Sequence, residues 1–449
     1  MILKNSINNK YDYHIQELLG TGSFATVFKA KHIPTKRNVA VKVFEKCKLR
    51  DSAELESLMN EVRISSRADH PLIATLFETF EDENNFYISM ELVPNDSLLS
   101  FINSSGGIGE GAARKLFAQL VLVLEYLHKD LNVIHRDLKA ENILLDRYGN
   151  IRLIDFGLSK NYDPSAPFMS TICGSPAYAA PELVKGNPYT NSVDIWSIGV
   201  ILFAMIAGFL PFDDQNMNEQ LKKVINCEPE YPNNISPSLL DLLKRLLNKN
   251  PETRITLDKI KEHPWVFSSI ANVGSLDQFR VVHIKFIDKD IVEELDTLGV
   301  NTENLIPSLL KSELTCETAS YKILKKEKLG IDINEAFSRM RTHRASNASR
   351  LNEISSTSAL PNLSPLSSRA LGCTRGHKNV LSSPGHSVPP MPRLSPVAGL
   401  QIRTRGVPDS PLMNNDNVQR RSRAMTFLKK EIVSPIIEKG TNAVQRTFL

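Results

Sequence analysis

The sequence predicts an α+β protein of two lobes, β-rich and then α-helical, followed by a small three-helix module and a disordered tail. Three observations carry this prediction. Residues 13–45 alternate apolar and polar positions around glycines. From Gly111 onward the apolar positions recur at helical spacing. Beyond about residue 341 the chain turns to Ser, Pro, Asn and Arg, with few aromatics. A period of two marks a half-buried strand, and a period near 3.6 marks an amphipathic helix. A strand-rich part followed by a helix-rich part implies two packed units with a cleft between them.

Taken in order, YHIQELLGTGSFATVFKAKH and RNVAVKVFEK read as a β-meander. Ala53–Ala68 has a helical period and stops before His70-Pro71, where proline disfavours further helix. Ile73–Phe80 and Phe86–Leu92 read as short strands, and Ala112–His128, Ser192–Gly208 and Pro237–Leu247 as long helices. The apolar run Ile195–Leu210 is broken by Ser197, Gly199 and Gly208. It falls short of the ~20 residues that span a bilayer, so it reads as a buried helix.

The two lobes occupy residues 13–267, and 268–287 read as a linker. Stretches at 288–298, 302–311 and 315–327 make up the module, 288–330. Three short helices are marginal alone and need a partner surface. Residues 341–449 cannot bury enough apolar area to offset the entropy of ordering, and read as a disordered basic tail. That tail holds 16 Lys and Arg against 5 Asp and Glu, a net +11. With +4 on the whole chain, residues 1–340 carry −7.

MILKNSINNKYDY lacks the apolar stretch and cleavage site of a secretory signal. Cys47, Cys173, Cys227, Cys316 and Cys373 are scattered, with no CxxC and no Cys/His cluster. Both features point to a reducing setting, cytoplasmic with the nucleus left open. The tail's basic residues are not interleaved with aromatics, which argues against a nucleic-acid partner. Arg420-Arg421-Ser422-Arg423 is a candidate for weak contact with anionic lipid. Ser-Pro pairs at Ser364, Ser383, Ser395, Ser410 and Ser434 are candidate sites for proline-directed phosphorylation.

Phosphoryl transfer needs a cradle for a triphosphate, metal ligands, and a group that orients the attacking hydroxyl. The run Leu19-Gly20-Thr21-Gly22-Ser23-Phe24-Ala25-Thr26-Val27 is a glycine turn between strands. Ala40-Val41-Lys42 follows it on a strand, and Glu61 lies on the next helix, which also bears Glu54 and Glu56. Alone, these read as an ordinary hairpin, a surface lysine and a solvated glutamate. His135-Arg136-Asp137-Leu138-Lys139-Ala140-Glu141-Asn142 changes the balance. It resembles the catalytic loop of protein kinases throughout its length, and the other segments then fall into that family's order.

By this resemblance Asp137 orients the substrate hydroxyl, Lys139 steadies the transferred phosphate, and Asn142 and Asp155 hold Mg²⁺. Asp155 opens Asp155-Phe156-Gly157. The glycine turn, Leu19 to Val27, covers ATP, with Ala25 standing where the family usually has a third glycine. Ala40, Lys42, Glu61, Met90, Glu91, Val93 and Leu144 complete the nucleotide site, with Glu61 paired to Lys42. Lys139 is the form typical of serine/threonine kinases. Ala180-Pro181-Glu182 closes the activation segment, with Arg254 as the partner of Glu182. Asp194 and Trp196 fit the buried helix that anchors the catalytic loop.

Met169–Pro176 resembles the activation loop of the AMP-activated and calcium/calmodulin-dependent group. There Thr171 is the position phosphorylated by an upstream kinase, and Arg136 the partner of the phosphate. Residues 288–330 resemble the ubiquitin-associated-like module of AMP-activated-type kinases. The expected partners are protein substrates, with Glu141 favouring basic residues near the target. The family's second acidic position is Ser97 here, beside Asp96. A catalytically silent scaffold is the alternative, although Lys42, Asp137, Asn142 and Asp155 are all present.

Overall fold

The fold is taken from a computed structural model, which describes residues 2–5, 10–22, 25–49, 52–161, 169, 174–270, 280–282 and 287–330. Alternation along the first strands decides which side chains face inward. Strands β1 (Ile2–Asn5), β2 (Lys10–Thr21), β3 (Ala25–His32), β4 (Asn38–Glu45), β5 (Leu76–Glu81) and β6 (Asn85–Met90) form one antiparallel sheet, ordered β1-β2-β3-β4-β6-β5. Because successive side chains point to opposite faces, β4 divides into two sets. Phe44 joins Leu58, Val62, Phe86 and Ile88 on the face covered by helix α1 (Ser52–Arg67). Val39 and Val41 join Tyr13, Ala30, Phe77, Phe80 and Tyr87 on the other face. There the rings of Tyr13, Phe80 and Tyr87 stack in a ladder, with centroids 5.1 and 4.8 Å apart.

Helices α2 (Leu98–Ser105) and α3 (Glu110–Glu125) begin the second lobe, and short strands β7 (Val133–Ile134), β8 (Ile143–Leu145), β9 (Ile151–Leu153) and β10 (Lys160–Asn161) follow. Next come α4 (Pro181–Val184), α5 (Ser192–Ala207), α6 (Met217–Asn226), α7 (Pro237–Leu246), α8 (Leu257–Glu262) and α9 (Pro264–Ile270). The α9 helix continues into the stretch read from sequence as linker. The apolar run around residue 200 is indeed a buried helix, since 14 of the 16 residues of α5 are buried. Gly199 permits its closest contact. A methyl there would meet Leu246 Cβ at 2.8 Å, so α5 and α7 approach only because the side chain is missing. No helix among the described residues is long and apolar enough to cross a membrane.

Helices α10 (Lys289–Thr297), α11 (Leu305–Leu310) and α12 (residues 316–330) follow. Ile291, Leu295, Leu305, Leu309, Tyr321 and Leu324 make their shared core. Helix α12 has a second apolar side. Its Ala319 and Ile323 close the outer face of the sheet against Tyr13, Val39, Val41 and Phe80. Arg37, after β3, meets Glu327 at 2.6 Å and Glu294 at 3.5 Å. The Asp69 carboxylate accepts the N–H groups of Val281 and Val282 at 2.7 and 2.9 Å. The module is thus seated on the β-rich lobe by apolar contact, surface charge and the chain that leads to it.

Candidate active site

The glycine turn is the β2–β3 connection. Gly22 N–H donates to Ala25 O at 2.8 Å, and Gly20 and Thr21 pair with Val27 and Thr26. Ser23 and Phe24 lie outside the described residues, while Leu19 is exposed. Register then sets the neighbours: Lys42 of β4 stands opposite Val27 on one side and Ile88 on the other, and Ala40 opposite Met90. Glu91 and Val93 follow β6 directly, and Leu144 sits on β8.

Lys42 Nζ donates to Glu61 Oε1 of α1 at 2.7 Å, a partly buried pair that neither Glu54 nor Glu56 makes. Burial works against the charge on Lys42, but the carboxylates of Glu61 and Asp155 outweigh it and hold the ammonium well above the ordinary lysine range. Asp155 has φ +69°, a left-handed backbone uncommon outside glycine and best tolerated by residues such as aspartate, and Gly157 N–H donates to its Oδ1 at 3.1 Å. Burial opposes its charge too, yet Lys42 and the Gly157 N–H pull its pKa below the usual carboxylate value. Ser57 Oγ of α1 donates to Gly157 O at 2.7 Å, tying the helix that carries Glu61 to this turn.

Asp137 is held at both oxygens. Its Oδ1 accepts from the backbone N–H and the hydroxyl of Ser175, each at 2.8 Å, and its Oδ2 accepts from Lys139 Nζ at 2.7 Å. Lys139 also donates to Ser175 Oγ at 3.1 Å, closing a three-residue ring of hydrogen bonds. Asn142 Nδ2 donates to Asp137 O at 3.4 Å, and Asn142 O accepts Ile154 N–H at 2.9 Å. The residue before Asp155 is therefore fastened to the loop that carries Asp137.

Asp194 of α5 anchors that loop from below. Fully buried, it accepts the N–H groups of His135 and Arg136, each at 2.9 Å, and lies 2.8 Å from His128 Nε2. Burial disfavours its charge, but these partners keep its pKa below the ordinary range. His128 reaches it because the end of α3 widens, with Leu131 N–H bonding to Tyr126 O.

Arg136, at φ +67°, donates to Leu158 O at 2.7 Å and Tyr189 Oη at 3.1 Å. Gly174 is required beside it: at φ +97°, an added methyl would lie 2.6 Å from Arg136 O. Glu182 and Arg254 form a buried two-pronged pair at 2.7 and 2.9 Å, with Trp196 beside the guanidinium at 5.2 Å. Thr171 lies outside the described residues. The Ser97 hydroxyl caps α2 by accepting Ser100 N–H at 3.2 Å, and Glu141 neighbours Tyr178.

The pairings Lys42–Glu61 and Glu182–Arg254 are those expected. Sequence reasoning missed Ser175 and His128. Each acts on a partner far along the chain, and the only local signal was Gly174-Ser175-Pro176 at the close of the activation segment.

The protein kinase domain family matches residues 13–266. The chain is 36% identical over 319 residues to SNF1-related protein kinase catalytic subunit alpha KIN12 of Arabidopsis thaliana, a match covering 70% of this chain and 63% of that protein. It is 36% identical over 318 residues to serine/threonine-protein kinase SIK2 of Gallus gallus, and 34% to SIK1 of Rattus norvegicus, again over 70% of this chain. Those matches span 40% and 41% of the two relatives, so the chain covers less than two thirds of the length of any of the three. A matched domain that takes in all of these residues, together with related serine/threonine kinases, leads to one assignment: the chain belongs to the protein kinase domain family.

Proposed function

We propose that this chain is a serine/threonine protein kinase, which transfers the γ-phosphate of ATP to hydroxyl groups of protein substrates with Mg²⁺ as cofactor. The observation that supports this best is the ring Asp137–Lys139–Ser175 together with the Lys42–Glu61 pair, with Asp155 under the charge of both lysines. An attacking hydroxyl must be oriented and must give up its proton. Asp137 is the group for that task, because both of its oxygens are already fixed in direction. Lys139, shared between Asp137 and Ser175, would meet the phosphate as it leaves ATP. Lys42, aimed by Glu61, would hold the phosphates, and the glycine turn would close over them. Leu19, Val27, Ala40, Met90 and Leu144 would enclose the adenine, with the backbone at Glu91 and Val93 beside its edge.

Asn142 and Asp155 offer oxygen alone, which suits Mg²⁺: this ion takes few protein ligands and fills its shell with phosphate oxygens and water. Among the described residues no group of three or more His, Cys, Asp or Glu forms a self-sufficient metal site, so phosphate oxygens would have to complete this one. Bound there, Mg²⁺ would neutralise charge on the phosphates. Lys139 favours Ser/Thr over Tyr as acceptor, and Glu141 favours basic residues near the target. Thr171 is the proposed site for an upstream kinase. Its phosphate would be drawn to Arg136, whose guanidinium is already positioned by Leu158 and Tyr189.

The test is phosphate transfer from ATP to a basic Ser/Thr peptide by wild type beside Asp137→Asn, with and without phosphorylation of Thr171. Wild-type transfer that falls by at least about a thousandfold in the variant supports the reading. Silence from the phosphorylated wild type would favour a scaffold in which the fold is kept without the reaction.

A further inference from the structure

Helix α12 touches the point where the two lobes join. Its sheet-facing side carries Lys322 and Lys326, both at least nine-tenths buried. Lys326 Nζ donates to Ile73 O at 3.0 Å and lies 3.1 Å from Glu91 Oε2. Glu91 is the first residue after β6, on the segment that connects the lobes. Its Oε2 also accepts Thr75 N–H at 3.3 Å, and its Oε1 accepts Arg152 Nε at 3.0 Å. Arg152 belongs to β9, and its Nη2 continues to Asp146 at 3.1 Å. Two cations and two carboxylates thus link the module, the β-rich lobe, the connecting segment and the helical lobe. Burial works against the charge on Glu91, but Lys326 and Arg152 hold its pKa below the ordinary value.

Such a cluster is poor ground for a stability argument, because desolvation cancels most of the attraction between buried ions. Ala319 and Ile323 already seat the helix by apolar contact. What the ions add is direction. Removing Lys326 would leave Glu91 Oε2 with the longer Thr75 N–H bond alone and Arg152 as its one cation, and the Glu91 backbone lies beside the proposed adenine site.

We propose that Lys326 is a positioning residue for nucleotide: acting through the Glu91 carboxylate, it fixes the connecting segment, so that helix α12 sets ATP affinity from outside the cleft. This rests on the reading that ATP binds between the lobes. Lys322 supplies a control. It is buried on the same face, with its charge toward Asp69 and Glu78, four residues from the contact with Glu91.

The experiment compares the full chain with K326M, K326R, K322M and E91Q, measuring kcat and KM for ATP, ATP binding by calorimetry, and thermal stability. Expected is a KM for ATP raised about tenfold in K326M with kcat within about twofold, and recovery of most of the affinity in K326R. K322M should lose stability with KM unmoved, and K326M should add no further change in an E91Q background. Equal KM shifts in K326M and K322M would reduce Lys326 to a structural residue and overturn the proposal, as would a K326M effect that persists undiminished with E91Q. If K326M does not fold, E91Q reads the same contact from the other end, and an unchanged KM there overturns it. A wild type that neither binds ATP nor transfers phosphate would strike the kinase reading itself, whereas an active wild type with an indifferent K326M strikes only this one.

Discussion

Ser175 directs both its backbone N–H and its hydroxyl at one oxygen of Asp137, and Lys139 bridges the other oxygen back to it. Ser175→Ala keeps the N–H and loses the hydroxyl, which takes one hydrogen bond from Asp137 and one from Lys139 and loosens the aim of both. The expected result is a fall in kcat on the order of ten- to a hundredfold with KM for ATP little changed, and near-normal rates in Ser175→Thr. Steady-state kinetics on the three proteins checks this. At this scale the sequence was most legible where chemistry is contiguous. Asp137, Lys139 and Asn142 share one loop, so their spacing alone displays them. Ser175 and His128 escaped notice because their partners lie 38 and 66 residues away, and no local pattern encodes such a contact.

Elements were legible to the extent that one face is apolar. The strands of the meander and the helices α1, α3, α5 and α7 all appear where alternation or helical period placed them. Helix α12 shows what periodicity leaves out: it buries two faces, one in its own module and one on the sheet, and a single apolar stripe does not say against what. The same seam holds a titrating group. His32, at the end of β3, is buried between Thr35 at 2.9 Å, the Tyr13 ring at 5.1 Å and Cys316 Sγ at 3.9 Å. Desolvation lowers its pKa from 6.5 to about 3. The unfolded chain therefore binds a proton that the folded one refuses, and stability is lost as pH falls below 6.5. The slope from this residue is at most about 1.4 kcal/mol per pH unit. Denaturant melts between pH 7 and about 5, above most carboxylate titration, should show that slope in wild type and a flatter one in His32→Gln.

Across the whole molecule, the module decides how much of the β-rich lobe faces water. Deleting residues 288–330 would uncover Tyr13, Val39, Val41, Phe80 and Tyr87 along with the buried Glu78 side chain, and would strip Lys326 from Glu91. A chain ended at residue 287 is expected to melt several degrees below one ended at 330, and to self-associate through the bared face. Calorimetry and light scattering on the two chains would show it. The arrangement of the lobes was legible as a strand-rich part before a helix-rich part, but their joint was not, because it is made by residues from five separate stretches. That joint has its own timekeeper. Leu153 N–H bonds to Leu72 O at 2.9 Å, and Ala74 N–H to Leu153 O at 2.9 Å, so two amides are shut across the line between the lobes. In heavy water these protons exchange only when this stretch opens, alone or with the fold around it. Their deuterium uptake would therefore clock how often the joint lets go, in a protein at rest and without any substrate.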